Sequence, residues 1–169
     1  MTTIHKVLVI GGGIGGMAAA ISLRKLGLAV DLVELDKDWQ VHGAGITISG
    51  PTLRAFKELG VVDQVVAQGW CSDTTVLCDA QGVQLGRIPL ARLAGPEVPG
   101  GGGIMRPVLA RILSQATLAS GAAVRLGVTF SAIEQGADTV HVKFTDHTEA
   151  DYDLVVGADG LNSEHATPS

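Results

Sequence analysis

Residues 7–34 read VLVIGGGIGGMAAAISLRKLGLAVDLVE, and the order of apolar and glycine positions in this stretch decides the fold. Val7 to Ile10 form a short continuous apolar run, the pattern of a parallel strand covered on both faces. Glycines follow at once. Ile14, Met17, Ala18, Ile21 and Leu26 then recur at helical spacing, with Arg24 and Lys25 in the last turn, where cations offset the helix dipole. Val30 to Leu35 reads as a second strand. Strand, glycine-rich turn, helix and strand within about 30 residues make a βαβ unit.

Gly11, Gly13 and Gly16 satisfy G-x-G-x-x-G, with Ile14 and Gly15 inside the motif. The first glycine permits the tight turn, the second lets backbone approach a pyrophosphate, and the third lets the helix pack closely on the strand. The helix that opens here offers unpaired N–H groups and a positive dipole end to an anion. Glu34 lies twenty-one residues after Gly13 and ends the second strand. There its carboxylate can accept the two hydroxyls of an adenosine ribose and would repel a 2′-phosphate. NAD and FAD share that ADP half, so the motif alone leaves both open.

Pro51 and Gly60 bracket a helix with Leu53, Phe56 and Leu59 on one face. Gly27, Gly60 and Gly121 each follow a helical pattern, as left-handed residues that end a helix do. TTVLCD and VQLGRI, turned by AQG, read as a hairpin. Pro89 to Gly103, ending in PGGGG, reads as a long mobile loop, and Pro107 to Ser120 as a helix. The β segments AAVRL, VTFSAIEQ, TVHVKFTD and DYDLVVGAD follow. TVHVKF alternates, which gives it one solvent face, whereas the continuous LVVGA returns to the buried parallel sheet. The chain is therefore α/β, and its β meander departs from the strand–helix alternation of a nicotinamide dehydrogenase in favour of a flavin fold.

Hydrophobic residues at 46% against 17% charged describe a core-rich globular chain, expected to form one domain. A net charge of -5 with no basic cluster sets nucleic acid aside as a partner. No apolar stretch reaches the roughly eighteen residues of a membrane span, and the first residues lack the form of a signal peptide. Cys71 and Cys78 fit neither a CxxC pair nor a zinc site, and the five histidines show no metal spacing. Reduced thiols in a cytoplasmic protein without a metal are expected. No G-x-S-x-G or other nucleophile motif is present.

Three stretches in order, GGGIGG with Glu34, IMRPVLARIL and DLVVGADGLNS, resemble the signatures of the para-hydroxybenzoate hydroxylase family, the single-component FAD-dependent aromatic monooxygenases. HGAGITIS at 42–49 is similar to that family's GxGI stretch along the flavin. The resemblance covers essentially the whole chain. It implies a Rossmann-like FAD-binding fold, with residues 1–169 as the FAD-binding domain. Gly11, Gly13, Ile14, Gly15, Gly16, Glu34 and Leu35 would hold the ADP half, and Gly45 would run along the flavin. Arg106 would face the pyrophosphate or ribityl side, Val128 would touch adenine through its backbone, and Asp159 and Gly160 would bind the ribityl chain or pyrophosphate edge. A cation at a helix start opposes the dipole, which itself points to an anion near Arg106. Trp39 and Trp70 fit packing as well as site roles.

The same resemblance implies an oxidoreductase that hydroxylates a small aromatic substrate with FAD, NAD(P)H and oxygen. No catalytic side chain is expected, because the flavin carries the oxygen chemistry. Two alternatives stand beside it: another FAD-dependent oxidoreductase of the same fold, such as a halogenase or reductase, and a non-catalytic nucleotide-binding fragment. Ala166 departs from the pattern, standing where the family's DG motif closes with an arginine. The family's substrate-binding sheet and later Gly-Asp motif have no counterpart in these residues. The expectation is a chain cut short after its second dinucleotide motif, with an uncovered sheet edge through which copies self-associate.

Overall fold

The structure is a computed structural model that describes residues 3–41 and 43–160. The chain divides into two compact units, residues 1–41 with 113–169, and residues 42–112. It enters the first unit through β1 (Lys6–Ile10), turns into α1 (Ile14–Lys25) and returns as β2 (Ala29–Glu34). β1 and β2 pair in parallel, with Val7 opposite Val30 and Ile10 opposite Val33. This is the expected βαβ unit. Leu26 and Leu35 depart from its apolar pattern, at 76% and 68% exposed. Each stands one residue past the end of its element, where the periodicity no longer applies.

The second unit runs through β3 (Gly45–Ile48), α2 (Gly50–Leu59), α3 (Val62–Gln68), β4 (Trp70–Ser72), the hairpin β5 (Thr74–Cys78) and β6 (Gln84–Pro89), and β7 (Gly101–Met105). Pro51 sits in the first turn of α2, and Gly60 ends it at φ +82°. Leu53 and Phe56 are buried beneath the helix, as its spacing requires. α3 spans only seven residues, too few for a periodic signal, and was not expected.

The glycine run corrects the sequence reading. Gly101 to Gly103 form the start of β7, the middle strand of a sheet ordered β3-β7-β4 and antiparallel to both neighbours. A Cβ on Gly102 would overlap the Trp70 carbonyl oxygen and lie 2.8 Å from Cys71 Cα, so a side chain would push β4 away. Glycine here is a condition of close strand approach rather than of mobility. Residues before the run are held as well. Asp73 accepts hydrogen bonds from the Gly100 N–H at 3.0 Å and the Arg92 guanidinium at 2.6 Å, and Ala94 and Val98 are buried. The Arg92 side chain, with the Gly100 amide, holds the Asp73 carboxyl below its usual range.

α4 (Arg106–Ala119) leads into β8 (Ala123–Leu126), β9 (Phe130–Gln135), β10 (Val140–Phe144), β11 (Glu149–Tyr152) and β12 (Leu154–Gly157). β12 pairs in parallel with β1, and β8 in parallel with β2, giving the order β12-β1-β2-β8. β9 to β11 form the antiparallel meander. The stretch DYDLVVGAD is therefore two strands in two sheets, not one. Asp153 makes the break: its Oδ2 accepts the N–H groups of His5 at 2.7 Å and Lys6 at 2.8 Å, fastening the chain to the start of β1.

Alternation along β1 sends side chains to both faces of the parallel sheet. Leu8 and Ile10 join Val142, Phe144 and Tyr152 of the meander, while Val9 joins Ala20 of α1. In β10, Val142 and Phe144 are buried and Lys143 is exposed, the half-solvated strand that its alternation predicts. The Tyr152 hydroxyl donates to Asp31 Oδ2 at 2.8 Å, and burial together with that carboxylate pushes its pKa up. Among the described residues β12 pairs only with β1, so it is a sheet edge. No helix among them is long and apolar enough to cross a membrane. They hold no His, Cys, Asp and Glu group arranged for a metal.

Candidate functional site

The five glycines of the turn after β1 divide into two kinds. Gly11 has φ +103°, and its N–H donates to the Val33 carbonyl at 2.8 Å. A Cβ on Gly11 would overlap the Ala158 carbonyl, and one on Gly16 would overlap the Gly11 carbonyl. Both positions are glycine because the protein's own backbone fills the space. Gly13 and Gly15 are the opposite case, with no atom of another element among the described residues within 4 Å of where a Cβ would stand. Nothing among the described residues requires glycine there. The space in front of them is open to a group from outside.

Gly13 is the N-cap of α1 in extended conformation, without a side-chain cap and without an acidic residue in the first turn. The first-turn N–H groups, those of Ile14, Gly15 and Gly16, keep their capacity for an outside acceptor.

Glu34 closes one end of this turn. Its Oε2 accepts the Gly12 N–H at 2.5 Å and its Oε1 accepts the Asp36 N–H at 2.8 Å. The Trp39 indole N–H donates to the Gly12 carbonyl at 2.8 Å. Gly12 was missed by the motif reading, which treats the x of G-x-G as free. A Cβ there would lie 2.5 Å from Trp39 Nε1 and 3.0 Å from Glu34 Oε2. The available signal was that x is itself glycine.

Exposed apolar surface borders Glu34. Leu35 follows it, and Leu126, 39% exposed, lies at the end of the neighbouring strand β8, opposite Glu34. The Val128 N–H donates to the Glu34 carbonyl at 3.1 Å, and its side chain is in the core. Any ligand contact of Val128 therefore runs through its carbonyl. On the other side, the Ala158 N–H donates to the Ile10 carbonyl at 2.7 Å, which sets the GADG turn beside Gly11. Gly160 takes φ +83°. The glycine turn, Glu34, Leu35, Val128, Asp159 and Gly160 are thus gathered at the C-terminal edge of one parallel sheet, the place where open α/β sheets bind ligands. The rest of the last signature, with Ala166, lies outside the described residues.

Gly45 and Arg106 are brought together in the second unit. Gly45 pairs with Met105, and the Arg106 N–H donates to the Ala44 carbonyl at 3.3 Å. Gly43, at φ +132°, lets the Arg106 side chain lie close: its Cβ position is 3.1 Å from Arg106 Cδ. Arg106 is exposed at the first position of α4. His42 lies outside the described residues. A cavity of about 940 Å³ lies within this unit, lined by Thr47, Trp70, Thr75, Arg87 and the β7 glycines among others. It carries no local sequence signal, because its walls come from strands far apart in the chain.

The chain matches the FAD binding domain family over residues 5–167. It is 35% identical over 161 residues to the FAD-dependent urate hydroxylase of Klebsiella oxytoca, covering 94% of this chain and 41% of that one. It is 34% identical over 161 residues to the 3-amino-4-hydroxybenzoate 2-monooxygenase of Streptomyces cremeus, covering 94% and 40%. Among solved structures, tetracycline destructase Tet(51) aligns with a TM-score of 0.75 at 29% identity, over 96% of this chain and 40% of that one. The chain spans about 40% of the length of the curated relatives it matches.

Proposed function

The chain belongs to the FAD binding domain family of para-hydroxybenzoate hydroxylase-like monooxygenases, and from that premise we propose that it is the FAD-binding part of an enzyme that hydroxylates a small aromatic substrate with NAD(P)H and oxygen. The observation that carries the cofactor reading is the division of the glycines. Gly11, Gly12 and Gly16 are crowded by the protein, while Gly13 and Gly15 face open space among the described residues, beside a helix N-terminus without a side-chain cap. A pyrophosphate fits that cradle in both shape and charge.

In this reading the N–H groups of Ile14, Gly15 and Gly16 bind the pyrophosphate, and Glu34 takes the adenosine ribose. Leu35 and the Val128 carbonyl border the adenine. Asp159 and Gly160 hold the ribityl chain or pyrophosphate edge, and Gly45 and Arg106 serve the flavin side. FAD supplies the redox and oxygen chemistry when bound; the residues of this chain bind it and fix its orientation. The aromatic substrate class is supported by the name of the aminohydroxybenzoate relative. Two free thiols, Cys71 and Cys78, agree with a reducing cytoplasmic setting. Exposed apolar side chains on the hairpin, Val83 and Leu85 among them, favour self-association.

The test is direct. The purified chain is titrated with FAD and with ADP, following flavin absorbance and heat. Uptake of both is expected. A chain that takes up neither is a non-catalytic fragment, and the proposal fails.

A further inference from the structure

Trp39 is the one residue of the tail of β2 that reaches back to the glycine turn with its side chain from a left-handed backbone, at φ +46°. A bulky residue in that region carries backbone strain, and strain of this kind persists only where surrounding contacts hold it. Those contacts form a closed ring. Asp36 accepts the Asp38 N–H on Oδ1 at 3.0 Å and the Gln40 N–H on Oδ2 at 2.8 Å, and the Trp39 N–H donates to the Asp36 carbonyl at 3.3 Å. The Asp36 N–H is held by Glu34, Glu34 holds the Gly12 N–H, and Trp39 holds the Gly12 carbonyl.

The peptide groups on both sides of Gly12 are therefore pinned from one side by two side chains. We propose that Trp39 is a positioning residue for the glycine turn. Its indole N–H orients the Gly12–Gly13 peptide so that the open cradle before Gly13 and Gly15 is preformed for a pyrophosphate. The inference rests on the cofactor reading above. It assigns to Trp39 a role in pyrophosphate affinity rather than adenosine affinity, because its hydrogen bond acts directly on the turn and reaches Glu34 only through Gly12. Preorganised donors gain affinity by removing an ordering cost from the binding step.

Trp39→Phe keeps the ring and deletes the donor. In the full chain it is expected to weaken ADP binding roughly three- to tenfold, the effect of one net hydrogen bond, and to leave adenosine binding unchanged. Asp36→Ala removes both carboxylate acceptors that hold the strained turn, and is expected to give the same ADP-selective loss. Affinities for ADP and adenosine are measured by titration on both variants and on the unaltered chain, with a melting curve for each. Equal losses for the two ligands, or no loss in either variant, overturn the role of Trp39. So does a W39F chain that no longer melts cooperatively while D36A binds ADP normally, since Trp39 is then a packing residue. An unaltered chain that binds no ADP overturns the cofactor reading itself, which keeps the two failures apart.

Discussion

Gly16 stands so close to Gly11 that a Cβ on the first would overlap the carbonyl oxygen of the second. That contact closes the turn onto α1, and it separates what glycine does for folding from what it does for a ligand. Gly16→Ala is expected to destabilise the chain by about 1–3 kcal/mol, the usual cost of forcing a group into filled space. Gly13→Val adds a side chain where no other element among the described residues lies within 4 Å, on a backbone already extended at φ −69° and ψ −179°. It is expected to leave the melting temperature nearly unchanged and to weaken ADP binding at least about tenfold, some 1.4 kcal/mol. Melting curves and ADP titrations on both variants check this. Normal nucleotide uptake by Gly13→Val would reduce the motif to a turn.

Arg106 opens α4 in the second unit, paired through its backbone with Ala44. If Arg106 serves the flavin side of the cofactor, as proposed, its guanidinium distinguishes FAD from its ADP half. Arg106→Ala is expected to lower FAD affinity several-fold and ADP affinity less. Parallel titrations with the two ligands decide. Equal losses would move Arg106 to the adenosine end, and no loss would leave it a solvated arginine.

His141 on β10 faces Asp151 of β11, with Nδ1 2.7 Å from Oδ1, and its Nε2 lies 3.5 Å from Glu149. The hydrogen bond to Asp151 is the main cause that raises the imidazole above its ordinary value of 6.5. The folded state thus holds this proton more tightly than the unfolded chain. The stabilisation is fully present below pH 6.5 and is lost as pH rises through the folded value. Because the group is near the surface, the effect is small. A His141→Gln chain is expected to lose that fall in melting temperature between mildly acidic and alkaline buffers. A slope equal to that of the unaltered chain would assign it to another group.

Val76 and Leu77 are adjacent on β5 and point to opposite faces of the hairpin, yet both are 46% exposed. Val83 at 60% and Leu85 at 70% extend this apolar surface. Neither face of the hairpin is fully covered, and β12 leaves a parallel sheet edge unpaired among the described residues. Such surfaces favour association. Sedimentation velocity is expected to show concentration-dependent self-association, reduced by Val83→Lys with Leu85→Lys. A monomer at every concentration would refute the idea.

The local grammar of the chain was legible by itself. The βαβ unit, the hairpin, α2 between Pro51 and Gly60, and the place of Glu34 all follow from periodicity and spacing over a few residues. These features are set by interactions between near neighbours in the chain, and composition records them. The tertiary structure decided the remainder. Gly101 to Gly103 became part of a central strand because Trp70 and Cys71 pass against it. DYDLVVGAD divided because Asp153 found the amides of His5 and Lys6 at the far end of the chain. The crowding that separates Gly12 from Gly13, and the ring through Trp39, likewise depend on which distant atoms arrive at a given backbone. A glycine is written the same way whether it faces a neighbouring strand or empty space, and only the packed chain fills one and leaves the other open.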